Sequence, residues 1–195
     1  MHPITSKNLE ETMKRIAVFF PGLGYHCDKP LLYYSRAFAV AAGFDTIVNL
    51  TYTYTKAGLR GNPSGLRTAI DALLEQTETA LQTTDWQMYD EPLFVSKSIG
   101  TAVASAYAHR HGLKCRSVYY TPIEQTFECE PQPGIAFTGT ADPWVETRRI
   151  VEGCDRAGIR LSVIEDANHS LETPDPARNL KILLQVMEAT RGHIG

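Results

Sequence analysis

The cysteines of this sequence are too few and too scattered to build a zinc knuckle or a disulfide framework. There are four, and none of them forms a C-x-x-C pair. A long hydrophobic run is also missing, since the longest, near residues 37–44, has about eight residues where roughly 20 would cross a bilayer. The polar segment 1–15 has no apolar core of the kind found in secretory signals. We therefore expect a protein of the reducing cytoplasm without a membrane partner.

Charge of one sign is not in excess either. The chain has 19 Lys and Arg residues against 22 Asp and Glu residues, which gives a net charge of −3. A protein that binds nucleic acid usually carries a basic face, so we expect no nucleic acid partner. No group of His, Cys and Asp residues has the spacing of metal ligands, and we expect neither a metal nor another cofactor.

The length and composition are those of one globular domain. The chain has 195 residues, of which 43% are hydrophobic and 21% charged, and such a chain can bury a substantial core. We expect residues 1–195 to form a single domain in which residues 1–14 are an N-terminal extension. The sequence leaves the oligomeric state open.

Six short apolar runs predict strands that are buried on both faces, as in a parallel sheet. They are Arg15–Phe20, Asp45–Leu50, Leu93–Lys97, Arg116–Thr121, Gly134–Gly139 and Arg160–Glu165. Helical patterns alternate with them, for example at residues 30–42, 66–81 and 173–187. The fold class predicted is therefore α/β, with a doubly wound, mostly parallel sheet of about six strands and right-handed crossovers.

The longest irregular stretches are residues 51–65 and 122–133, and each follows a predicted strand. We expect both to be loops at the carboxyl edge of the sheet, where doubly wound proteins bind their ligands.

The first strand and the turn after it read "RIAVFFPGLGYHCD" and fit two different functions. A dinucleotide-binding domain has a G-x-G-x-x-G turn at this place, but Cys27 occupies the third glycine position. The second strand, in "TIVNLTY", also lacks the acidic residue that would bind a ribose. In a serine hydrolase, by contrast, the turn after the first strand offers backbone N–H groups to an oxyanion.

The segment "LFVSKSIGTAVASAYAHR" favours the hydrolase. A buried strand runs into a tight turn centred on Ser98, and a helix rich in alanine follows. Small residues two positions before and after the nucleophile, here Ser96 and Gly100, permit such a sharp turn. The helix N-terminus directs free N–H groups and a partial positive charge at the site.

These residues resemble the α/β-hydrolase superfamily, whose nucleophile turn reads G-x-S-x-G and appears here as S-x-S-x-G. The resemblance extends from Arg15 to about Arg191. It implies Ser98 as nucleophile, Asp142 in "TGTADPW" as the acid of a triad and His169 in "DANHSLE" as its base. It also implies a minimal form of this fold with strand order 2-1-3-4-5-6, because no segment is long enough for a lid domain.

The same resemblance assigns the backbone donors and the candidate pocket. The segment "PGLG" corresponds to the oxyanion loop, so the N–H groups of Leu23 and Ile99 are expected to bind the oxyanion. Gly22, Gly24, Tyr25, His26 and Trp144 are candidate pocket residues, although Tyr25 and His26 could instead begin the next helix. Trp144 lies either against the site or in the core, and we favour the core.

Several neighbours of these residues admit other roles. Asp166, three residues before His169, is a rival to Asp142 that fits better as a turn residue. Lys97 is expected to be solvated or bonded to a loop rather than catalytic. His109 and His111 close a helix and are read as structural, and the cysteines as buried apolar residues.

The expected function is hydrolysis of a small carboxylic ester or thioester by a Ser-His-Asp triad through an acyl-enzyme. A peptidase-like amide hydrolase and a non-catalytic binding protein of the same fold are the alternatives. Asp142 raises the pKa of His169 while burial lowers it, and we expect activity to rise through one ionisation at about pH 6 to 8.

Overall fold

The computed structural model describes residues 13–55 and 58–195, so nearly all of the predicted N-terminal extension lies outside the described residues. Six strands form one sheet: β1 (Arg15–Phe20), β2 (Thr46–Asn49), β3 (Glu91–Lys97), β4 (Arg116–Tyr120), β5 (Gly134–Gly139) and β6 (Arg160–Ile164). All neighbouring pairs are parallel, and the order is β2-β1-β3-β4-β5-β6. The predicted fold class and strand order are confirmed.

Five helices flank the sheet: α1 (Pro30–Ala41), α2 (Pro63–Leu81), α3 (Ile99–Arg110), α4 (Thr147–Ala157) and α5 (Pro176–Ile194). Helices α1 and α5 pack on one face and bury apolar residues of the central strands. Helices α2 and α3 cover the other face together with α4. The central strands are thus buried on both sides, as their continuous apolar sequences require.

The helix starts follow local sequence rules. Pro30, Pro63 and Pro176 stand in the first turns of α1, α2 and α5, where a missing N–H group costs nothing. The side chains of Asn62 and Asp175 accept hydrogen bonds from the first-turn N–H groups of α2 and α5. These caps fix where each helix begins and therefore the lengths of the loops before them.

The structure adds elements that the sequence patterns did not predict. Helix α4 was not predicted, and a short 3-10 helix occupies Glu124–Cys129 inside the stretch expected to be irregular. The buried hydroxyl of Thr126 lies 2.6 Å from that of Thr101 in α3, which anchors this short helix beneath the carboxyl edge of the sheet. None of the helices described is long and apolar enough to cross a membrane.

Candidate active site

Ser98 occupies a strained turn between β3 and α3. Its backbone has φ 56° and ψ −128°, a region that residues with a side chain rarely adopt. The turn is tight because α3 begins directly against the end of β1: a Cβ placed on Gly100 would lie 2.5 Å from the carbonyl oxygen of Pro21. Glycine is required there, and the packing holds Ser98 at the carboxyl edge.

Ser96, the other serine of this turn, has a different environment. It is fully buried, and its hydroxyl donates to the carbonyl of Val118 on β4 at 3.0 Å. The side chain of Ser96 therefore serves the sheet, which explains how serine replaces glycine at this position without disturbing the turn.

The turn after β1 lies beside Ser98. Gly22 and Tyr25 exchange two backbone hydrogen bonds, and Gly24 has a positive φ of 82°. Gly22 lies so close that an added Cβ would be 3.1 Å from Cβ of Ser98. Within the described residues, the N–H groups of Leu23 and Ile99 donate to no protein acceptor. They are two unpaired donors at the positions expected for an oxyanion site.

Asp142, His169 and Ser98 form one hydrogen-bonded chain. Nδ1 of His169 lies 2.6 Å from Oδ2 of Asp142, and Nε2 lies 2.7 Å from Oγ of Ser98. The Asp142 side chain has no exposed surface, and its other oxygen accepts the N–H of Trp144 at 2.8 Å. The carboxylate therefore fixes both the tilt and the tautomer of the imidazole, whose Nδ1–H it accepts.

Burial dominates the electrostatics of His169. It lowers the pKa of the imidazole below 6.5, and the nearby charge of Lys97 lowers it further. The hydrogen bond to Asp142 and the charge of Asp142 act in the opposite direction without reversing the shift. A pKa below 6.5 is compatible with the predicted range of about 6 to 8 and favours its lower end.

Asp166 does not approach the imidazole through its carboxylate. Its side chain is 66% exposed, and Oδ2 lies 3.0 Å from an Nη atom of Arg178. Its backbone has φ 58°, and its N–H donates to the hydroxyl of Thr140. Asp166 is thus a turn residue with a surface ion pair, which is the role that the sequence analysis favoured for it.

The structure corrects the interpretation of Trp144 as a core residue. Its side chain is 40% exposed, and its ring stacks on the imidazole of His169 with centroids 5.5 Å apart. The tight connection after β5 turns the indole away from the core and toward the site. Trp144 is therefore a wall of the cleft beside His169.

Lys97 was predicted to be either solvated or bonded to a loop, and the structure excludes the first of these. It is not solvated, since only 1% of the residue is exposed. It is bonded to a loop, because its ammonium donates to the carbonyl of His169 at 2.9 Å. Buried lysines are rare unless they have a partner, and no sequence pattern indicated this partner.

The remaining candidates divide between two clefts. The cleft at Ser98 has a volume of about 170 Å³ and includes Leu23, Gly24, Tyr25 and Trp144 among its walls. A larger cleft of about 320 Å³ lies on the other side of the turn and contains Gly22 and the exposed His26. His26 is therefore not a wall of the Ser98 cleft and precedes α1. We assign the chemistry to the smaller cleft because the hydrogen-bonded chain opens into it.

The remaining histidines and cysteines of the described residues lie outside the Ser98 cleft. His111 lies 2.8 Å from Glu78 at the surface, and His109 is exposed, which agrees with structural roles. Cys27, Cys115 and Cys154 are buried as expected, whereas Cys129 is half-buried. The described residues contain no group of three or more His, Cys, Asp or Glu side chains that could hold a metal ion.

Comparison with known proteins gives similarity in structure alone. No protein-family model and no curated protein matches the sequence. An esterase from Pyrococcus furiosus superimposes with a TM-score of 0.61 and 12% identity, over 94% of this chain and 84% of its own. A putative hydrolase from Agrobacterium vitis gives 0.64 and 14%, over 93% and 88%. A serine hydrolase without a lid from Xanthomonas campestris gives 0.57 and 15%, over 94% and 85%.

Proposed function

We propose that this chain, which has the α/β-hydrolase fold, is a serine hydrolase that cleaves a small acyl ester or thioester through an acyl-enzyme. The observation that carries the proposal is the continuous chain of hydrogen bonds from Asp142 through His169 to Ser98, with distances of 2.6 and 2.7 Å. In this proposal the chain is a single catalytic domain that acts on a small-molecule substrate in the cytoplasm.

The first step is attack of Ser98 Oγ on the carbonyl carbon of the ester. A serine hydroxyl is a weak nucleophile and needs a base within hydrogen-bonding distance. Nε2 of His169 accepts the proton as the bond to carbon forms. Asp142 holds the imidazole in the tautomer that leaves Nε2 free, and its charge stabilises the imidazolium that results.

The carbonyl oxygen becomes an oxyanion in this step, and in this proposal the N–H groups of Leu23 and Ile99 bind it. Ile99 is the first residue of α3, so the positive end of the helix dipole adds to its effect. A donor of this kind contributes about 3–4 kcal/mol to transition-state stabilisation in other enzymes. The proton then passes from His169 to the leaving alkoxide, which departs as the alcohol.

Water completes the reaction. His169, neutral again, removes a proton from a water molecule that attacks the acyl carbon, and a second oxyanion forms between the same two donors. Its collapse breaks the bond to Oγ and returns the proton to Ser98. The cleft opens to solvent beside Ser98, which gives water direct access to the acyl group.

The shape of the cleft favours a short acyl chain. Its volume is about 170 Å³, and Leu59 and Leu66 supply apolar walls near Ile99. No lid domain covers these residues in the described part of the chain, since residues 122–133 form only the short 3-10 helix and its flanks. A long acyl chain would exceed this volume, and methylene groups that stay outside the cleft gain nothing from burial.

A panel of p-nitrophenyl esters of increasing chain length tests this function. We expect kcat/KM to be highest for the acetate or butyrate and to fall for the octanoate. Ser98→Ala should reduce turnover to the background rate, while Ser96→Ala serves as the matched control because Ser96 faces the sheet. Equal activity of Ser98→Ala and the native protein, or no turnover of any ester by the folded protein, would contradict the proposal and leave a binding role.

A further inference from the structure

Lys97 precedes Ser98 in the chain, yet its ammonium lies beneath His169. The residue is 1% exposed and is among the largest fully buried side chains of the described structure. Its backbone belongs to β3, and its Nζ atom reaches the loop that follows β6. One side chain therefore connects the segment that carries the nucleophile with the segment that carries the histidine.

The ammonium has two hydrogen-bond partners and one aromatic neighbour. Nζ donates to Oγ1 of Thr121 at 2.6 Å and to the backbone carbonyl of His169 at 2.9 Å. The ring of Tyr25 lies 5.0 Å from Nζ and offers its negative face to the third side of the cation. An ammonium has three donors and no acceptor, and here two donors are hydrogen-bonded while the aromatic face stabilises the charge.

The carbonyl of His169 receives a second donor from the same cluster. The hydroxyl of Thr121 donates to it at 3.1 Å. Thr121 is held in turn by its N–H, which donates to Phe137 at 2.7 Å, and its own backbone has a positive φ of 43°. One donor from the last residue of β3 and one from the residue after β4 thus converge on one peptide group of the histidine loop.

An apolar side chain would fill this volume at lower cost. Burial lowers the pKa of Lys97 to about 7. The charge of Asp142 raises this pKa, whereas the charge of Lys29 lowers it further. Taking an ion out of water carries a desolvation penalty that an apolar side chain of similar size does not have. The ammonium is therefore better explained by what it does to His169 than by a contribution to the stability of the fold.

We propose that Lys97 is a positioning residue for the acyl transfer, and that its ammonium and the Thr121 hydroxyl together clamp the His169 main chain so that Nε2 stays within hydrogen-bonding distance of Ser98. The inference rests on the proposed function. Because Lys97 and Ser98 are adjacent, the clamp and the nucleophile move as one unit, and the histidine is fixed relative to the atom that it serves.

The variant Lys97→Met tests the clamp. Methionine keeps an unbranched apolar stem and removes the donors. We expect a folded protein whose melting temperature is not lowered and whose kcat/KM for p-nitrophenyl acetate falls about 10²-fold, since small misplacements of catalytic groups cost this much. The loss should lie in kcat, with KM nearly unchanged. The exposed Lys181→Met is the matched control and should retain native activity.

A second readout does not depend on turnover. The charge of Lys97 lowers the pKa of His169, so its removal should raise that pKa, which NMR titration of the imidazole measures directly. At the other donor, Thr121→Ser keeps a hydroxyl and should lose less activity than Thr121→Val. A merely structural role for Lys97 also predicts the shift in pKa, because the charge is lost in either case, but it does not predict the difference between the two Thr121 variants.

The outcomes separate the two proposals. If the native protein cleaves no ester, the proposed function fails, and the positioning role fails with it. If the native protein is active, the clamp is supported when Lys97→Met loses activity in kcat and Thr121→Val loses more activity than Thr121→Ser. The clamp is overturned when folded Lys97→Met stays within about threefold of native kcat/KM, a change too small for a displaced histidine, or leaves the pKa of His169 unchanged.

Discussion

The loops that follow β5 and β6 each carry an aspartate, and the loop after β6 also carries His169. Asp142, in the first loop, is buried against the imidazole, whereas Asp166, in the second, faces solvent. The Asp142 side chain has no exposed surface and lies 2.6 Å from Nδ1 of His169. That of Asp166 is 66% exposed and pairs with Arg178. Both residues are aspartates at the carboxyl edge of the sheet, so the local backbone conformation decides which of them is buried against the imidazole.

The two loops are tied together in a way that fixes both orientations. The N–H of Ala141 donates to the carbonyl of Ala167 at 3.0 Å, and Gly139 packs against the same peptide group. This contact holds Asp142 beside the histidine loop, and the N–H of Trp144 fixes its second oxygen. Asp166 takes the positive φ of the turn, which directs its side chain toward α5. Backbone contacts that hold the carboxylate beside the imidazole therefore matter more than the distance in sequence between the aspartate and His169.

The largest expected effect comes from Asp142→Asn. An amide in this place favours the wrong tautomer of His169, and the corresponding change in a serine protease lowers kcat about 10⁴-fold. We expect a similar loss here in a protein whose fold is unchanged by circular dichroism. Native turnover in Asp142→Asn together with a large loss in Asp166→Asn would reverse the comparison and make Asp166 the orienting group.

A smaller effect is expected from Trp144→Ala. The indole stacks on His169 and shields it from water, so its removal should raise the pKa of His169 toward 6.5 and lower kcat/KM by about 10-fold. Trp144→Phe keeps an aromatic ring at the same place and is the matched control. Steady-state kinetics at several pH values measure both changes, and identical behaviour of the Ala and Phe variants would argue against the stacking role.

The pH dependence of the native protein follows from the lowered pKa of His169. The imidazole must be neutral to accept the serine proton, so kcat/KM should rise with pH and level off, with its midpoint below 6.5. The carboxylate of Asp142 raises the pKa of His169, so in Asp142→Asn the pH midpoint of the residual activity should be lower still. A native midpoint above pH 7 would show that Asp142 outweighs burial.

The smallest expected effect is that of Asp166→Asn. Its ion pair with Arg178 is largely exposed, and such pairs contribute about 0–1 kcal/mol to stability. We expect kcat/KM within about threefold of native, because the carboxylate does not reach the imidazole. Urea denaturation and ester turnover measure the two quantities, and a loss beyond 10-fold would require a role that the solvent-facing geometry does not explain.

The sequence predicts the strands and the parallel sheet well because buried parallel strands are continuous apolar runs. It also places Ser98, Asp142 and His169 beyond the carboxyl ends of β3, β5 and β6, and the structure joins these three residues by hydrogen bonds. Helix α4 was missed because its few buried apolar positions, chiefly Ile150 and Cys154, stand in a segment rich in charged residues. Their spacing of four residues is the signal that could have indicated it.

The burial of Lys97 and the exposure of Trp144 could not be predicted from local pattern. Lysine is nearly always exposed and tryptophan mostly buried, so the residue types point the wrong way for both. Each position is determined by contacts with residues distant in the chain, such as Lys97 with His169. Such contacts leave no periodicity in the sequence.

Covalent labelling tests the central claim most directly. A fluorophosphonate reacts with a serine only when a base activates it and an oxyanion site accepts the phosphoryl oxygen. Peptide mass spectrometry of the labelled native protein should find one adduct per chain, on Ser98, formed at a similar rate in Asp166→Asn and far more slowly in Asp142→Asn. An adduct on Ser96, or no adduct on a protein that is folded, would contradict the assignment of Ser98 as the nucleophile.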